Sequence, residues 1–169
     1  VNEAINHMRK IVPDSATETL AIIGAEGYSV LMNQIPRLAK RFGISESSVE
    51  HLLNRYGSLM DEVLEPTQGD SSLLEPVMPN LPYLKAEILY SVTHEGARSV
   101  DDVLSRRTRI AFEAHDQGLS VVAEVAELIS PILGWSAAEK KNSIAEYQDI
   151  IERQNAELIV AKKEKSKVS

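Results

Sequence analysis

Histidines, glycines and serines are the residues of this chain that could build a catalytic or metal centre, and their spacing supports neither. No two histidines have the spacing of a helical metal site, and the chain has no cysteine to add a thiolate ligand. The histidines are His7, His51, His94 and His115. The eight glycines form neither a dinucleotide-binding fingerprint nor a phosphate loop, and no serine lies in a nucleophile elbow. We therefore assign no catalytic, cofactor-binding or metal-binding residue.

One arginine falls within the apolar face of a predicted helix. If Ser99 to Ala114 form one helix, Arg107 lies in the middle of that face. The apolar members of the face are Val100, Val103, Leu104, Ala111 and Ala114. A guanidinium buried alone is very costly, so Arg107 needs a carboxylate. Because the preceding helix carries Glu87 and Glu95 on one stripe, we predict a structural ion-pair cluster of Glu87, Glu95 and Arg107. Its register favours Glu87 as the direct partner of Arg107.

Two further arginines, Arg106 and Arg109, lie on the opposite, polar side of the same predicted helix, together with Asp102. Closely spaced guanidinium groups can bind an anion, and they can equally contact the surface of another domain. Both interpretations of Arg106 and Arg109 are open at this point.

The stretch from Leu38 to Leu53 fits the spacing of a DNA-binding helix-turn-helix. It has a turn at Gly43, a helix cap at Ser45 and apolar residues at the expected positions after the cap. The helix that would enter the groove begins with Glu46, and Glu50 follows one turn later. Carboxylates at that end repel phosphates. DNA binding is therefore the alternative hypothesis, beside simple packing of two helices.

Charge and composition indicate a soluble domain with an aliphatic core. The 169 residues carry a formal net charge of −7, which opposes general binding to nucleic acid. Aromatic residues make up only 5% of the chain, so aliphatic side chains must fill the core. We find no apolar run of the roughly 20 residues that cross a bilayer, and no secretory signal. The absence of cysteine fits a reducing compartment.

Apolar residues recur at helical spacing along almost the whole chain, and strand-like alternation is nearly absent. This pattern predicts an all-α fold, an orthogonal bundle of about seven helices with a long C-terminal helix. Ser45 and Ser136 have the pattern of helix caps. A loop with four prolines runs from Pro66 to Pro82, and the apolar run at residues 20–23 is interpreted as a buried extended linker. The predicted helices cover residues 2–10, 26–42, 46–56, a short segment up to 65, 83–95, 99–114, 120–133 and 137 onwards.

Several motifs follow one another in a characteristic order. The most specific runs from Glu87 to Arg109 and contains Ser-Val-Asp-Asp-Val-Leu, followed by Arg-Arg-Thr-Arg. Supporting pieces are residues 24–28, the stretch 52–57 that ends in Arg-Tyr-Gly, Pro-Tyr-Leu before Glu87, and Leu-Gly-Trp at residues 133–135. Together they resemble the C-terminal helical domain of FAD-dependent, quinone-linked glycerol-3-phosphate dehydrogenases.

The resemblance implies one domain of a two-part enzyme. In that family an N-terminal domain of Rossmann type binds FAD, oxidises glycerol 3-phosphate to dihydroxyacetone phosphate and passes electrons to quinone at the membrane. The helical domain caps the larger one. No position of this chain matches the family's flavin-binding or substrate-binding residues, so no FAD and no catalysis are expected in this chain alone.

The resemblance also implies how the chain is organised and what it meets. Residues 1–19 are expected to be an interdomain linker remnant, residues 20–135 the helical domain, and residues 136–169 a long C-terminal helix with a frayed basic tail. The expected partner is the N-terminal FAD domain of the same chain. A cytoplasmic location follows, with the full-length enzyme peripheral on the inner face of the cell membrane as one alternative. A homo-oligomer is left open.

Overall fold

The computed structural model describes residues 16–168, and it describes side chains as far as Leu158. The helix predicted at residues 2–10 and most of the predicted linker at 1–19 lie outside these residues. Over the described range the chain forms eight α-helices and no β-strand, with one isolated antiparallel bridge between Pro76 and Leu84. The all-α prediction is therefore confirmed. Within the same range, every helix is too short or too polar to cross a bilayer.

Four short helices form the first half. They are α1 (Tyr28–Met32), α2 (Ile35–Phe42), α3 (Glu46–Tyr56) and α4 (Met60–Leu64). The prediction of one helix over residues 26–42 is wrong, because the chain turns at Asn33 and restarts with Pro36 in the first turn of α2. Proline lacks the N–H that a continuous helix needs, and its ring would clash with the carbonyl of Met32.

The second half is longer and includes one wide helical turn. Its elements are α5 (Lys85–Thr93), a π-helix (Asp102–Arg107), α6 (Ile110–Glu113), α7 (Val122–Leu133) and α8 (Ala137–Val168). The proline-rich loop between α4 and α5 holds two 3-10 turns, Glu65–Gln68 and Ser71–Leu74. The predicted helix caps are confirmed, since Ser45 accepts the Ser48 N–H and Ser136 forms a capping box with Glu139.

The single helix predicted from Ser99 to Ala114 is wrong. The main-chain N–H of Thr108 donates to the carbonyl of Val103, five residues back, at 2.8 Å, which is the spacing of a π-turn. The Thr108 hydroxyl donates to the same carbonyl at 2.8 Å, and Thr108 itself is extended, which ends the helix. A π-turn changes the direction of each following side chain, so Arg107 does not lie where an α-helical register places it.

Two hydrophobic cores fill the described part of the chain. The first core packs α2, α3 and α4 against one side of α5 and includes Val49, Leu52, Leu53, Val63 and Tyr90. The second core packs the other side of α5 against the π-helix, α7 and α8, and it includes Ile88, Val103, Leu104, Ile129 and Tyr147. Helix α5 therefore contributes to both cores, and Leu128 of α7 also packs against both.

The apolar run at residues 20–23 is not buried, contrary to the sequence-based interpretation. Leu20, Ile22 and Ile23 are 67%, 80% and 85% exposed. They precede α1 in a series of turns, beginning with a hydrogen bond from the N–H of Ala25 to the carbonyl of Ile22. None of the three belongs to either hydrophobic core of the described residues.

Candidate functional site

Glu87 is the centre of a buried polar cluster that joins α3 to α5. Its side chain is fully buried at the start of α5, and Oε1 accepts the main-chain N–H of Leu84 at 2.8 Å. A glutamate at this position of the first turn satisfies one of the N–H groups that the helix leaves without a partner. The same carboxylate lies 3.0 Å from Nε2 of His51 and 3.7 Å from Nε of Arg55.

Helix α3 supplies two side-chain partners of Glu87. His51 and Arg55 are four residues apart, which places them on one face of the helix. The His51 ring packs edge-to-face on Tyr83 with 5.0 Å between centroids, and the Arg55 guanidinium lies over the rings of Tyr56 and Tyr83. Both side chains are therefore held by aromatic contacts as well as by the carboxylate.

The protonation of the groups around Arg55 is set by burial and by these contacts. Burial alone would lower the pKa of Arg55, but the hydrogen bond to Tyr56 and the charges of Glu87 and Glu95 outweigh it and raise that pKa. Burial also raises the pKa of Tyr56, and Glu87 adds to the effect. Arg55 thus stays charged and Tyr56 stays neutral, so that Arg55 Nε can donate to the Tyr56 oxygen at 2.9 Å.

The structure brings Glu95 and Arg107 together, but through the main chain. Nε of Arg107 donates to the carbonyl oxygen of Glu95 at 2.8 Å, and the Arg107 side chain is half-buried. The pairing of Arg107 with Glu87 is wrong, because Glu87 is taken by His51 and Arg55. The Glu95 carboxyl is held by charge alone, since its Oε2 is buried and accepts no hydrogen bond from the described residues. Burial raises the pKa of Glu95, against the opposing charges of Arg55 and Arg107.

Arg106, the exposed arginine of the π-helix, forms ion pairs with two carboxylates. Arg106 lies 2.9 Å from Asp101 and also bonds Asp102. Burial opposes ionisation of Asp102, but hydrogen bonds from Arg98, Arg106 and Ser99 prevail and lower its pKa. An incoming anion would have to compete with the carboxylates of Asp101 and Asp102 for Arg106, so the anion-site interpretation is weakened for this residue.

Arg109 is less constrained than Arg106. Its side chain is 69% exposed, and its only described ion pair is a contact of 3.5 Å with Glu113. Glu113 also accepts the hydroxyl of Tyr83 at 3.1 Å. The neighbouring Phe112 is 71% exposed. Arg109 and Phe112 thus present a cationic and an aromatic group together at the surface.

The buried polar cluster has the groups of a catalytic dyad but lacks a nucleophile. A histidine bonded to a carboxylate can act as a general base when a hydroxyl or thiol lies within hydrogen-bond reach. The His51 hydrogen bonds found among residues 16–158 go only to Glu87. In that part of the chain no group of three acidic or histidine side chains could hold a metal ion. The arrangement therefore locks two helices together.

Two of the open clefts on the described surface lie close to α3. A cleft of about 460 Å³ lies over the buried polar cluster, lined by Ile23, Arg55, Glu62, His94 and Glu95 among others. A groove of about 640 Å³ lies between the proline-rich loop and the start of α3. Its lining includes Glu75 and no basic side chain. The groove therefore does not suit a phosphate.

His51 and Arg55 were missed by the sequence-based prediction of the cluster. Their spacing of four residues was visible, but that segment was interpreted only as a candidate helix-turn-helix. Nothing in the sequence shows that α3 crosses the start of α5. Glu46 and Glu50 lie on the exposed face of α3, whereas Val49 and Leu52 are fully buried in the first core.

These features define a class: an all-α domain in which most of the described ion pairs link one helix to another. The chain belongs to the family described as the C-terminal domain of alpha-glycerophosphate oxidase, whose family model matches residues 15–140. This match includes α1 to α7, the buried polar cluster and both exposed arginines. No solved structure matches the chain.

The similar curated proteins are glycerol-3-phosphate dehydrogenases. "Glycerol-3-phosphate dehydrogenase 2" of Mycobacterium tuberculosis is 38% identical over 152 residues, which cover 90% of this chain and 26% of that protein. The "Probable glycerol-3-phosphate dehydrogenase, mitochondrial" of Dictyostelium discoideum is 31% identical over 135 residues, 80% of this chain and 21% of that protein. The chain thus spans about a quarter of the length of these relatives.

Proposed function

We propose that this chain is the C-terminal cap domain of an FAD-dependent glycerol-3-phosphate dehydrogenase. The full-length form would oxidise glycerol 3-phosphate to dihydroxyacetone phosphate and pass the electrons to quinone. The observation that carries the proposal is the family match over residues 15–140. The relatives named above support it, since the chain covers only a quarter of their length. The FAD-binding residues would then lie in the part of the enzyme that precedes this domain.

The role of this domain within the enzyme is structural. The partners of Glu87, His51, Arg55 and Arg106 lie within the domain itself, which supports a rigid unit rather than a substrate site. Arg109 is the better candidate for a contact with the N-terminal domain, because its one ion pair is long and exposed. Arg106 would contribute to the same contact only if its ion pair with Asp101 or Asp102 were broken.

The division of the chain and the location of the enzyme belong to the same proposal. Residues 20–135 would form the domain proper and residues 136–169 the long C-terminal helix, although that helix supplies Tyr147 and Ile151 to the second core. The full-length enzyme would lie in the cytoplasm or on the inner face of the cell membrane. Nucleic acid is not a proposed partner, because the exposed face of α3 carries Glu46 and Glu50.

The proposal is tested by comparing the full-length protein with the 169-residue chain. We expect the full-length protein to show a flavin absorption band and to reduce a quinone analogue with glycerol 3-phosphate. The 169-residue chain alone should be colourless and inactive, since it has no dinucleotide-binding fingerprint. A full-length protein without flavin, or one that reduces the acceptor only with another substrate, would contradict the proposal.

A further inference from the structure

Three large apolar side chains lie exposed within a stretch of four residues before the first helix. Leu20, Ile22 and Ile23 are 67%, 80% and 85% exposed, and Ile23 borders the cleft over the buried polar cluster. Single exposed apolar residues are ordinary, whereas an exposed group of them marks an interaction surface. We call these three residues the apolar segment.

The apolar segment is fixed to the domain by a close approach of two glycines. The N–H of Ser58 donates to the carbonyl of Gly24 at 2.9 Å, directly after the segment. Gly24 and Gly57 both have positive φ, and a Cβ added to Gly57 would overlap the carbonyl oxygen of Gly24. The backbone at the end of the segment is therefore held tightly against the junction of α3 and α4. The domain holds this backbone in place and still leaves its apolar side chains in solvent.

We propose that the apolar segment is the surface on which the preceding part of the full-length enzyme docks. This inference rests on the proposed function, because it needs a longer chain. The family match begins at residue 15, five residues before Leu20. Five residues span at most roughly 17 Å. The polypeptide that precedes the domain thus passes within that distance of the segment.

The covalent link between this domain and the preceding part of the enzyme favours that part as the partner of the apolar segment. A surface that is covalently tethered nearby has a high effective concentration at the segment, so modest apolar contacts suffice to keep it docked. Relatives about four times as long as the match supply ample surface for such a contact. A second copy of the chain would have to compete with that tethered surface.

Thiol labelling of the full-length protein tests the proposal. The 169 residues contain no cysteine, so single Ile22→Cys and Ile23→Cys variants each place one reactive thiol on the segment. Leu158→Cys is the matched control, because Leu158 is 56% exposed on α8, far along the chain. Labelling by a maleimide is followed by mass spectrometry of the peptides. After denaturation all three variants should label at the same rate.

We expect the thiols of the two segment variants to react at least roughly ten-fold more slowly than that of Leu158→Cys in the folded protein. Equal rates in the folded protein would overturn the proposal. Protection that disappears on dilution would also overturn it, since a second copy would then be the occupant. Acceptor reduction with glycerol 3-phosphate by the same preparations separates the two proposals: an active enzyme with fast-labelling thiols refutes only the docking surface.

Discussion

At the start of α5, one buried carboxylate hydrogen-bonds His51 of α3 and the N–H of Leu84 and forms an ion pair with Arg55 of α3. Replacing Glu87 with alanine leaves Arg55 without its counterion, and it leaves His51 and the Leu84 N–H without their hydrogen-bond partner. We expect Glu87→Ala to lower the free energy of unfolding by about 3 kcal/mol. Arg107→Ala should lower it by only about 1 kcal/mol, because Arg107 loses a single hydrogen bond to a carbonyl. Urea unfolding at neutral pH measures both values.

Two controls accompany this comparison. Glu87→Gln keeps the side-chain volume and an oxygen that can accept the Leu84 N–H, so it separates the loss of charge from the loss of packing. Glu152→Ala removes an exposed carboxylate of α8 and should change stability by less than about 0.5 kcal/mol. If Arg107→Ala proved as costly as Glu87→Ala, the partners assigned to both residues would be wrong.

The raised pKa of Glu95 makes a prediction about pH. Burial raises this pKa above the ordinary 4.5. At pH values above the ordinary pKa, ionisation of this carboxyl therefore destabilises the folded state. The destabilisation vanishes at low pH, where the group is protonated in both the folded and the unfolded states. We expect Glu95→Gln to raise the melting temperature near pH 7 and to leave it unchanged near pH 3.5.

The exposed Glu152→Gln variant controls for the change in net charge, since it removes the same charge from a solvated position. A Glu95→Gln variant that melts below the parent at pH 7 would show that Arg55 and Arg107 stabilise the ionised carboxyl more than burial opposes it. The sign of the change at pH 7 thus decides between the two effects.

The sequence allowed only part of this cluster to be predicted. The rule that a buried guanidinium needs a carboxylate named Glu95 as a second candidate beside Glu87, but Arg107 is only half-buried and bonds the main-chain carbonyl of Glu95. The choice of Glu87 failed because it assumed an α-helical register and no competing cation. His51 and Arg55 reach Glu87 only through the crossing of α3 and α5, which is a tertiary contact that local periodicity does not encode.

At the scale of elements, the junction of α3 and α4 depends on Gly57. Its φ of +58° and ψ of −130° lie outside the left-handed helical region and cost an alanine on the order of 1–3 kcal/mol, and the added Cβ would also force Gly24 away. Gly43 at the end of α2 has the left-handed helical values φ +69° and ψ +27°, which cost an alanine about 1–2 kcal/mol, and an added Cβ meets nothing within 4 Å there. We therefore expect Gly57→Ala to be clearly more destabilising than Gly43→Ala in thermal unfolding. Equal costs would show that the contact with Gly24 contributes nothing.

Element boundaries were predictable where they depend on local chemistry. Serine caps and glycine stops mark the ends of α2, α3, α7 and α8, and each lies within about two residues of its predicted position. The break at Pro36 was also readable in principle, because proline in the first turn marks a new helix. The π-helix was not predictable, since it follows from how Thr108 bonds to Val103 in the folded chain.

At the scale of the whole molecule, surface charge predicts how the chain behaves toward DNA. The formal net charge is −7, and Glu46 and Glu50 lie on the only exposed face of α3. We expect no mobility shift of duplex DNA at physiological salt, because phosphate neutralisation requires a surplus of Lys and Arg. A histone-like basic protein serves as the positive control. A micromolar shift that weakens steeply with salt would support the helix-turn-helix hypothesis instead.

Helix α5 has a consequence for how the domain can come apart. Its opposite sides are buried in different cores, with Ala86 and Tyr90 on one and Ile88 on the other. Neither half can unfold without uncovering one side of this shared helix, so we expect the two halves to unfold together as a single cooperative unit. We therefore expect a destabilising change in either half to weaken the other, and limited proteolysis to accumulate no half-folded fragment.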